Sequence, residues 1–89
     1  MTAADVWFEG RVQGVGFRYT ASRIATGYDV AGWVRNEADG RVQLHAEGVR
    51  DEVDAFLRGI QESQLGSMIK QMHVAWGKAE GCRGFEIQR

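Results

Sequence analysis

The strongest constraint on the fold of this chain is a glycine-rich run that joins a strand-like pattern to a helix-like pattern: Gly10-Arg11-Val12-Gln13-Gly14-Val15-Gly16-Phe17-Arg18. Leading into the run, alternate positions are apolar or small, which predicts one buried face of a β-strand: Val6, Phe8, Gly10 and Val12. After it, apolar residues recur at helical spacing: Phe17, Ala21, Ile24, Ala25 and Tyr28. The run therefore predicts a tight connection between a strand and an amphipathic helix.

This connection has the features of an anion-binding site. Gly14 and Gly16 allow a tight turn in which successive backbone N–H groups point at one centre. The following helix N-terminus adds partial positive charge, and Arg18 adds a planar cationic group suited to phosphate oxygens. The run lacks the third glycine of a dinucleotide-binding loop and the Gly-Lys-Ser/Thr of a nucleotide P-loop. A phosphate or carboxylate site is predicted, with a glycine turn of purely structural purpose as the alternative.

The composition limits the domain organisation and the kinds of partner. With 89 residues, 44% of them apolar, the chain is expected to form one domain, residues 1–89, around a single two-layer core. A net charge of −1 does not favour nucleic acid or an anionic membrane as a partner. The single cysteine, Cys82, excludes an internal disulfide. No secretory signal and no run of about 20 apolar residues is found, so we predict a cytoplasmic protein.

The remaining patterns predict further strands and a second helix. A strand is expected at residues 30–36 and another at 41–47, with Asp39-Gly40 as the hairpin turn between them. Apolar residues at helical spacing follow, then a strand at 69–76 and a short last strand at Phe85 and Ile87. The order β-α-β-β-α-β-β predicts an α+β, ferredoxin-like split β-α-β sandwich, with a largely antiparallel sheet, two helices on one face and a short extra terminal strand.

Asn36 ends the second predicted strand. We expect the first and second strands to be parallel neighbours, which would bring Asn36 close to the glycine-rich loop. An amide carries both a donor and an acceptor and can hold a water molecule beside a bound phosphate. Asn36 is therefore a candidate for positioning water rather than for proton transfer.

Taken together, these motifs resemble the acylphosphatase family along essentially the whole chain: the run from Gly10 to Arg18, Gly32-Trp33-Val34-Arg35-Asn36, Asp39-Gly40, Gly48 and Gly84-Phe85-Glu86-Ile87. The resemblance implies hydrolysis of an acyl phosphate to a carboxylate and inorganic phosphate, by water attack, without a metal, a cofactor or a covalent intermediate. It implies that Arg18 and Asn36 are catalytic. It also implies a phosphate-binding loop made of Gln13, Gly14, Val15, Gly16, Phe17 and Arg18. Ser63-Gln64-Leu65-Gly66-Ser67 replaces the family's Gly-Pro-rich turn, which predicts a looser turn there.

Several other residues carry weaker signals. His45 and His73 are expected on exposed faces of the sheet and no metal site is predicted. Cys82 has no neighbouring base or second cysteine, and we interpret it as incidental, with a pKa lowered slightly by Arg83. Trp7 and Trp33 are expected together on the uncovered sheet face, where they shield the sheet against neighbouring arginines. The chain is predicted to be a monomer, with self-association through that face as the alternative.

Three other functions stay open. The first is an acylphosphatase-like domain that acts on carbamoyl phosphate in a larger maturation protein, although such a protein is expected to carry further domains. The second is a ferredoxin-like RNA-binding module, which would need its aromatic motif on a central strand instead of in a turn. The third is a protein that binds phosphate without turnover, against which the presence of both Arg18 and Asn36 argues.

Overall fold

The computed structural model describes residues 1–89 and contains five strands, two α-helices and one short 3₁₀ helix. In chain order the elements are β1 Thr2–Gly10, α1 Phe17–Ala25, β2 Ala31–Asn36, β3 Val42–Gly48, α2 Arg50–Glu62, the 3₁₀ helix Gln64–Met68, β4 Ile69–Lys78 and β5 Phe85–Gln88. This is the predicted order, and the ferredoxin-like α+β fold with a short terminal strand is confirmed.

The five strands form one mixed sheet in the order β4-β1-β3-β2-β5. The pairs β1–β3, β1–β4 and β2–β3 are antiparallel, and only β2–β5 is parallel. The expectation that β1 and β2 are neighbours is wrong, because β3 lies between them. Both strands are antiparallel to β3, however, so they run in the same direction and their C-terminal ends lie on the same side of the sheet.

The core lies between one face of the sheet and the two helices. Alternate residues of the central strands face it, and Val6, Phe8, Val34 and Leu44 are all fully buried. The helices contribute apolar stripes at spacings of three and four residues: Phe17, Ala21 and Ala25 from α1, and Val53, Phe56, Leu57 and Ile60 from α2. The rings of Phe8 and Phe17 lie 5.0 Å apart, so the residue that begins α1 fixes the helix directly against β1.

Two local expectations are corrected. β1 ends at Gly10, earlier than the alternation into Val12 predicts, because the pairing with β4 shifts register between Glu9 and Gly10. Val12 is still buried, although it belongs to the loop.

The second correction concerns the segment after α2, which is a 3₁₀ helix and not a looser turn. The hydroxyl of Ser63 donates to the carbonyl of Ile60 at 2.6 Å and accepts from the N–H of Leu65 at 3.1 Å. Leu65 is buried in the core.

No helix in the structure combines the length and apolar character needed to cross a membrane.

The sheet face away from the helices differs most from expectation. His73 is exposed and its Nε2 lies 2.8 Å from a carboxylate oxygen of Glu9, whereas His45 is only 3% exposed. The prediction that His45 is exposed is wrong, because Trp33 stacks on its ring at 5.5 Å and its ring nitrogens face Asp5 and Glu47.

The environment of Trp33 and Cys82 follows from this arrangement. The guanidinium of Arg35 lies 4.7 Å from the ring centre of Trp33, so the expected shielding between tryptophan and arginine is present at this strand. Burial raises the pKa of the Cys82 thiol, and a hydrogen bond to the Glu47 carboxylate raises it further. The expectation that Arg83 lowers this pKa is therefore wrong.

Candidate active site

A cavity of about 270 Å³ opens beside the C-terminal ends of β1 and β2. It lies beside the start of α1 and the end of β5. Nine residues line it: Val12, Gly14, Gly16, Phe17, Arg18, Tyr19, Asn36, Ile87 and Arg89. Both candidate catalytic residues, Arg18 and Asn36, therefore share one cavity with most of the predicted phosphate-binding loop.

The loop before α1 presents unpaired backbone donors from Gln13 onward, whereas the N–H of Arg11 donates to the carbonyl of Met68 at 2.9 Å. Gly14 and Gly16 have φ angles of 76° and 77°, in the left-handed region that favours glycine. Gly16 is also the N-cap of α1, which has neither a side-chain cap nor an acidic residue in its first turn. No N–H group from Gln13 to Phe17 donates a hydrogen bond to the protein. The positive end of α1 and these N–H groups together form a concave site for an anion.

Arg18 lies in the first turn of α1 and is half-buried. Its Nη1 donates a hydrogen bond to the backbone carbonyl of Gln88 at 2.9 Å. A guanidinium has five N–H donors, so this single bond orients the group and leaves the other donors available to a ligand. No acidic side chain pairs with Arg18, and its positive charge is not neutralised within the site.

Asn36 is the last residue of β2 and its side chain makes no hydrogen bond to the protein. Val34, two residues earlier, is buried under the helices, so the alternation of the strand places Asn36 on the same face. Asn36 is exposed, because it lies beyond the end of the core. The parallel direction of β1 and β2, not direct pairing between them, brings Asn36 to the loop.

Two residues of the predicted phosphate-binding loop do not line the cavity. The side-chain amide of Gln13 donates to the carbonyls of Glu37 at 2.7 Å and Arg41 at 2.9 Å. These bonds join the loop after β1 to the turn that follows Asn36. Val15 packs against the core from its partly buried position. Any contact of Gln13 and Val15 with a phosphate would therefore come from their backbone N–H groups.

Sequence reasoning missed four cavity residues, namely Val12, Tyr19, Ile87 and Arg89. Tyr19 is 59% exposed and Ile87 is 40% exposed, so both leave apolar surface open to a ligand. Arg89 brings a second guanidinium-bearing residue to the cavity. The alternation around Ile87 predicts a strand but does not predict which neighbour this strand pairs with. Ile87 lies in the same cavity as Arg18 because β5 pairs with β2.

The residue types of the cavity limit its chemistry. The lining contains no carboxylate, imidazole or thiol side chain. It offers backbone N–H groups, guanidinium groups, one carboxamide and the phenol of Tyr19, which can donate hydrogen bonds to an anion but do not remove a proton at neutral pH. Such a site suits a reaction whose transition state carries charge on oxygen and whose leaving group needs no strong acid.

The sequence matches the profile of the family described as acylphosphatase over residues 4–87. The chain belongs to the acylphosphatase family. An acylphosphatase of Nostoc sp. is 43% identical to it over 86 residues, which cover 97% of this chain and 85% of the relative. Acylphosphatases are enzymes, and the family assignment supports hydrolysis of a small-molecule acyl phosphate.

Solved structures of acylphosphatase-like domains share the fold. The crystal structure of acylphosphatase from Bacillus subtilis superimposes with a TM-score of 0.91 at 34% identity and covers 100% of both chains. Full-length HypF superimposes with a TM-score of 0.90 at 30% identity, covering 99% of this chain and 12% of that one. The acylphosphatase fold thus also occurs as a small part of a much longer protein.

Proposed function

We propose that this acylphosphatase-family chain hydrolyses acyl phosphates at the cavity between the loop after β1 and Asn36, by direct attack of water on phosphorus. The observation that carries the proposal is the convergence of free N–H groups, the Arg18 guanidinium and the Asn36 amide on one cavity. Residues 1–89 act as one domain in this proposal, because one buried cluster is shared by the sheet and both helices.

The loop and Arg18 hold the phosphate group. The N–H groups from Gln13 to Phe17 and the N-terminus of α1 bind equatorial phosphate oxygens, and Arg18 uses the donors that Gln88 leaves free. These donors are already in place before substrate arrives, so little reorganisation accompanies the growth of charge in the transition state.

Asn36 holds the attacking water. Its carbonyl oxygen accepts a hydrogen bond from the water and its amide N–H₂ donates to water or to a phosphate oxygen. The acyl group leaves as a carboxylate, which is a good leaving group, so positioning supplies most of the catalysis. The proton released by water passes to a phosphate oxygen of the substrate, since no lining side chain is a carboxylate or an imidazole that could take it.

The reaction proceeds without a metal or a covalent intermediate. No lining side chain is a carboxylate, an imidazole or a thiol. These are the usual side-chain ligands of a metal and, together with hydroxyls, the usual nucleophiles. Tyr19 carries the only hydroxyl among the lining side chains, and it lies on an exposed helix turn. A single in-line displacement by water is the simplest step consistent with these residues.

The test is hydrolysis of benzoyl phosphate, followed by ultraviolet absorbance with a chelator present, in the wild type and in Asn36→Ala. We expect chelator-resistant turnover that is largely lost in the variant. Reaction in ¹⁸O-labelled water should place the label in phosphate and not in benzoate. With a substrate whose phosphoryl group is made chiral by isotopic substitution, the configuration at phosphorus should be inverted. Retention at phosphorus would contradict direct attack by water.

Two further outcomes separate the alternatives. Preference for carbamoyl phosphate over benzoyl phosphate would favour the alternative of an acylphosphatase-like domain that acts on carbamoyl phosphate. Binding of inorganic phosphate by folded protein without turnover of either compound would favour a phosphate-binding protein that is not an enzyme.

A further inference from the structure

Glu47 is a buried carboxylate on the sheet face opposite the helices, outside the proposed active site. It lies near the end of β3 and is 2% exposed. Its carboxylate accepts hydrogen bonds from three consecutive backbone N–H groups, those of Glu80 at 2.7 Å, Gly81 at 3.0 Å and Cys82 at 2.9 Å. Glu47 therefore holds the connection between β4 and β5 against the sheet, as an anion held in a backbone nest.

A second pair of contacts fixes Glu47 from the side of the sheet. The Nε2 atom of His45 lies 2.6 Å from a carboxylate oxygen of Glu47, and its Nδ1 atom lies 2.9 Å from Asp5. The Cys82 sulphur belongs to the same cluster, whose ligand-type atoms lie within 4.8 Å of one another. Both ring nitrogens and both Glu47 oxygens already have hydrogen-bond partners, so the cluster is a closed network and not an open ligand set.

The segment that Glu47 holds leads directly into β5. This strand has four residues, lies at the edge of the sheet and pairs only with β2. At its entry the carbonyl of Gly84 accepts from the N–H of Gly32 at 2.9 Å. At its exit the carbonyl of Gln88 accepts from Arg18 at 2.9 Å. The strand that orients the guanidinium is thus held at one end by the loop bound to Glu47.

We propose that Glu47 is a positioning residue of the phosphate site, acting through β5 and the Gln88 carbonyl on Arg18. A four-residue edge strand with one neighbour frays easily, and an ordered entry loop lowers the entropy it must lose. Without the Glu47 carboxylate, the loop loses its acceptor, β5 shifts or frays, and Arg18 loses its fixed orientation. The proposal rests on the proposed function, in which Arg18 binds phosphate.

The first experiment compares Glu47→Gln with Glu86→Gln, which removes the same charge from an exposed position on β5. Inorganic phosphate is used as a competitive inhibitor of benzoyl phosphate hydrolysis, with enzyme concentration corrected for the folded fraction measured by circular dichroism. We expect Glu47→Gln to raise the inhibition constant of phosphate about three- to tenfold, with a smaller change in kcat. Glu86→Gln should leave both values within about twofold of the wild type.

The second experiment asks whether Glu47 acts through Arg18. In the Arg18→Ala background, Glu47→Gln should have no further effect on kcat/KM, because the group that it orients is gone. A purely structural role would lower kcat/KM by the same factor in both backgrounds, and that result would overturn the proposal.

A second variant keeps the proposal testable if Glu47→Gln does not fold. Gly81 has a φ of 92°, and a Cβ added there would meet no other atom within 4 Å, so Gly81→Ala strains the loop without touching the sheet. It should weaken phosphate binding in the same direction as Glu47→Gln. If the wild type neither binds phosphate nor hydrolyses benzoyl phosphate, the proposed function itself fails. If Arg18→Ala impairs the enzyme but the folded Glu47 and Gly81 variants match the wild type, only the role of Glu47 is overturned.

Discussion

The side-chain amide of Gln13 bridges the two segments that form the proposed active site by donating to the carbonyl of Glu37 at 2.7 Å. The same nitrogen donates to the carbonyl of Arg41 at 2.9 Å. The loop that carries the free N–H groups and the turn that follows Asn36 are therefore joined by one side chain beside the start of β3. In the proposed function, this contact helps to set the distance between the phosphate-binding loop and Asn36.

Replacing Gln13 by alanine should affect stability and activity together. Gln13→Ala removes two hydrogen bonds, although the carbonyls of Glu37 and Arg41 each keep one backbone donor, and we expect the free energy of unfolding to fall by about 1–3 kcal/mol. The kcat/KM for benzoyl phosphate should also fall, because the loop and Asn36 are no longer tied together. Urea unfolding and steady-state kinetics measure the two effects. Gln61→Ala, at an exposed position of α2, is the control and should change neither.

Arg18→Ala should weaken binding as well as turnover. The side chain supplies the only guanidinium of α1 that lines the cavity, so its loss should lower kcat/KM by about 100- to 1000-fold. The inhibition constant of inorganic phosphate should rise in parallel. Arg58→Ala removes an exposed arginine from α2 and should behave as the wild type. Equal kinetics in the Arg18 and Arg58 variants would remove Arg18 from the site.

Asn36 substitutions should separate binding from catalysis. Asn36→Ala removes the group proposed to hold water, so we expect kcat to fall by about 100-fold with KM changed by less than about threefold. Asn36→Asp has nearly the same shape but adds a negative charge beside the phosphate, so its KM should rise. Michaelis–Menten analysis on benzoyl phosphate distinguishes the two. A pure KM effect in Asn36→Ala would assign the amide to substrate binding instead.

Gly16→Ala should disturb the phosphate loop through its backbone. The φ of 77° is costly for any residue with a Cβ, by about 1–2 kcal/mol. Because Gly16 caps α1, the strain is relieved by turning its N–H group away from the cavity, and phosphate affinity should fall. Calorimetric titration with inorganic phosphate measures this loss. Gly27→Ala serves as the matched control, since Gly27 has no positive φ and a Cβ there comes no closer than 3.5 Å to its neighbours.

The closed network around His45 should give the fold a pH-dependent stability. Burial lowers the pKa of His45, but hydrogen bonds and charges of Glu47 and Asp5 outweigh this effect and raise it above 6.5. Its stabilisation is present below pH 6.5 and is lost as pH rises through the folded pKa. Burial raises the pKa of Glu47, but hydrogen bonds from His45 and from the loop lower it to about 2. That stabilisation is present above pH 4.5 and is lost as pH falls towards 2.

The expected result is greatest stability from this network between pH 4.5 and 6.5. Urea unfolding at a series of pH values measures the free energy on both sides of this range. In His45→Gln, the fall in the free energy of unfolding above pH 6.5 should disappear. In His73→Gln, which changes an exposed histidine, the free energy of unfolding should depend on pH as in the wild type. An alkaline slope that is identical in all three proteins would show that His45 does not titrate differently on folding.

Local patterns in the sequence predicted the elements better than their arrangement. Alternation around Phe8 and helical spacing after Phe17 placed β1 and α1, because each element buries one face. Nothing local showed that β3 lies between β1 and β2, since strand order depends on pairing between distant segments. His45 was misassigned for a related reason: alternation puts it opposite the core, but Trp33 and the loop bound by Glu47 cover that face.

In the candidate site, too, residue types were predictable from local sequence, whereas contacts between distant segments were not. The glycine-rich run and Asn36 are recognisable because glycine, arginine and asparagine have distinctive chemistry at that spacing. The acceptor of Arg18 is a backbone carbonyl, that of Gln88, and a backbone group leaves no signal in the identity of its residue. The role of Gln13 in joining two turns was also hidden, because the carbonyls that it binds belong to Glu37 and Arg41, far along the chain.

The strand order also sets the sequence of events when the chain folds. Only β2 and β3 are neighbours both in the sheet and as consecutive strands of the chain, whereas Thr2 of β1 pairs with Gly48 on one side and Lys78 on the other. Pairing of strands that are far apart in the sequence costs loop-closure entropy before the stabilising contacts between them form. A sheet of this kind is therefore expected to fold slowly. Arg18 acquires its acceptor only when β5 has docked. We therefore expect a refolding chain to form the β2–β3 hairpin before Arg18 regains the orientation proposed for phosphate binding.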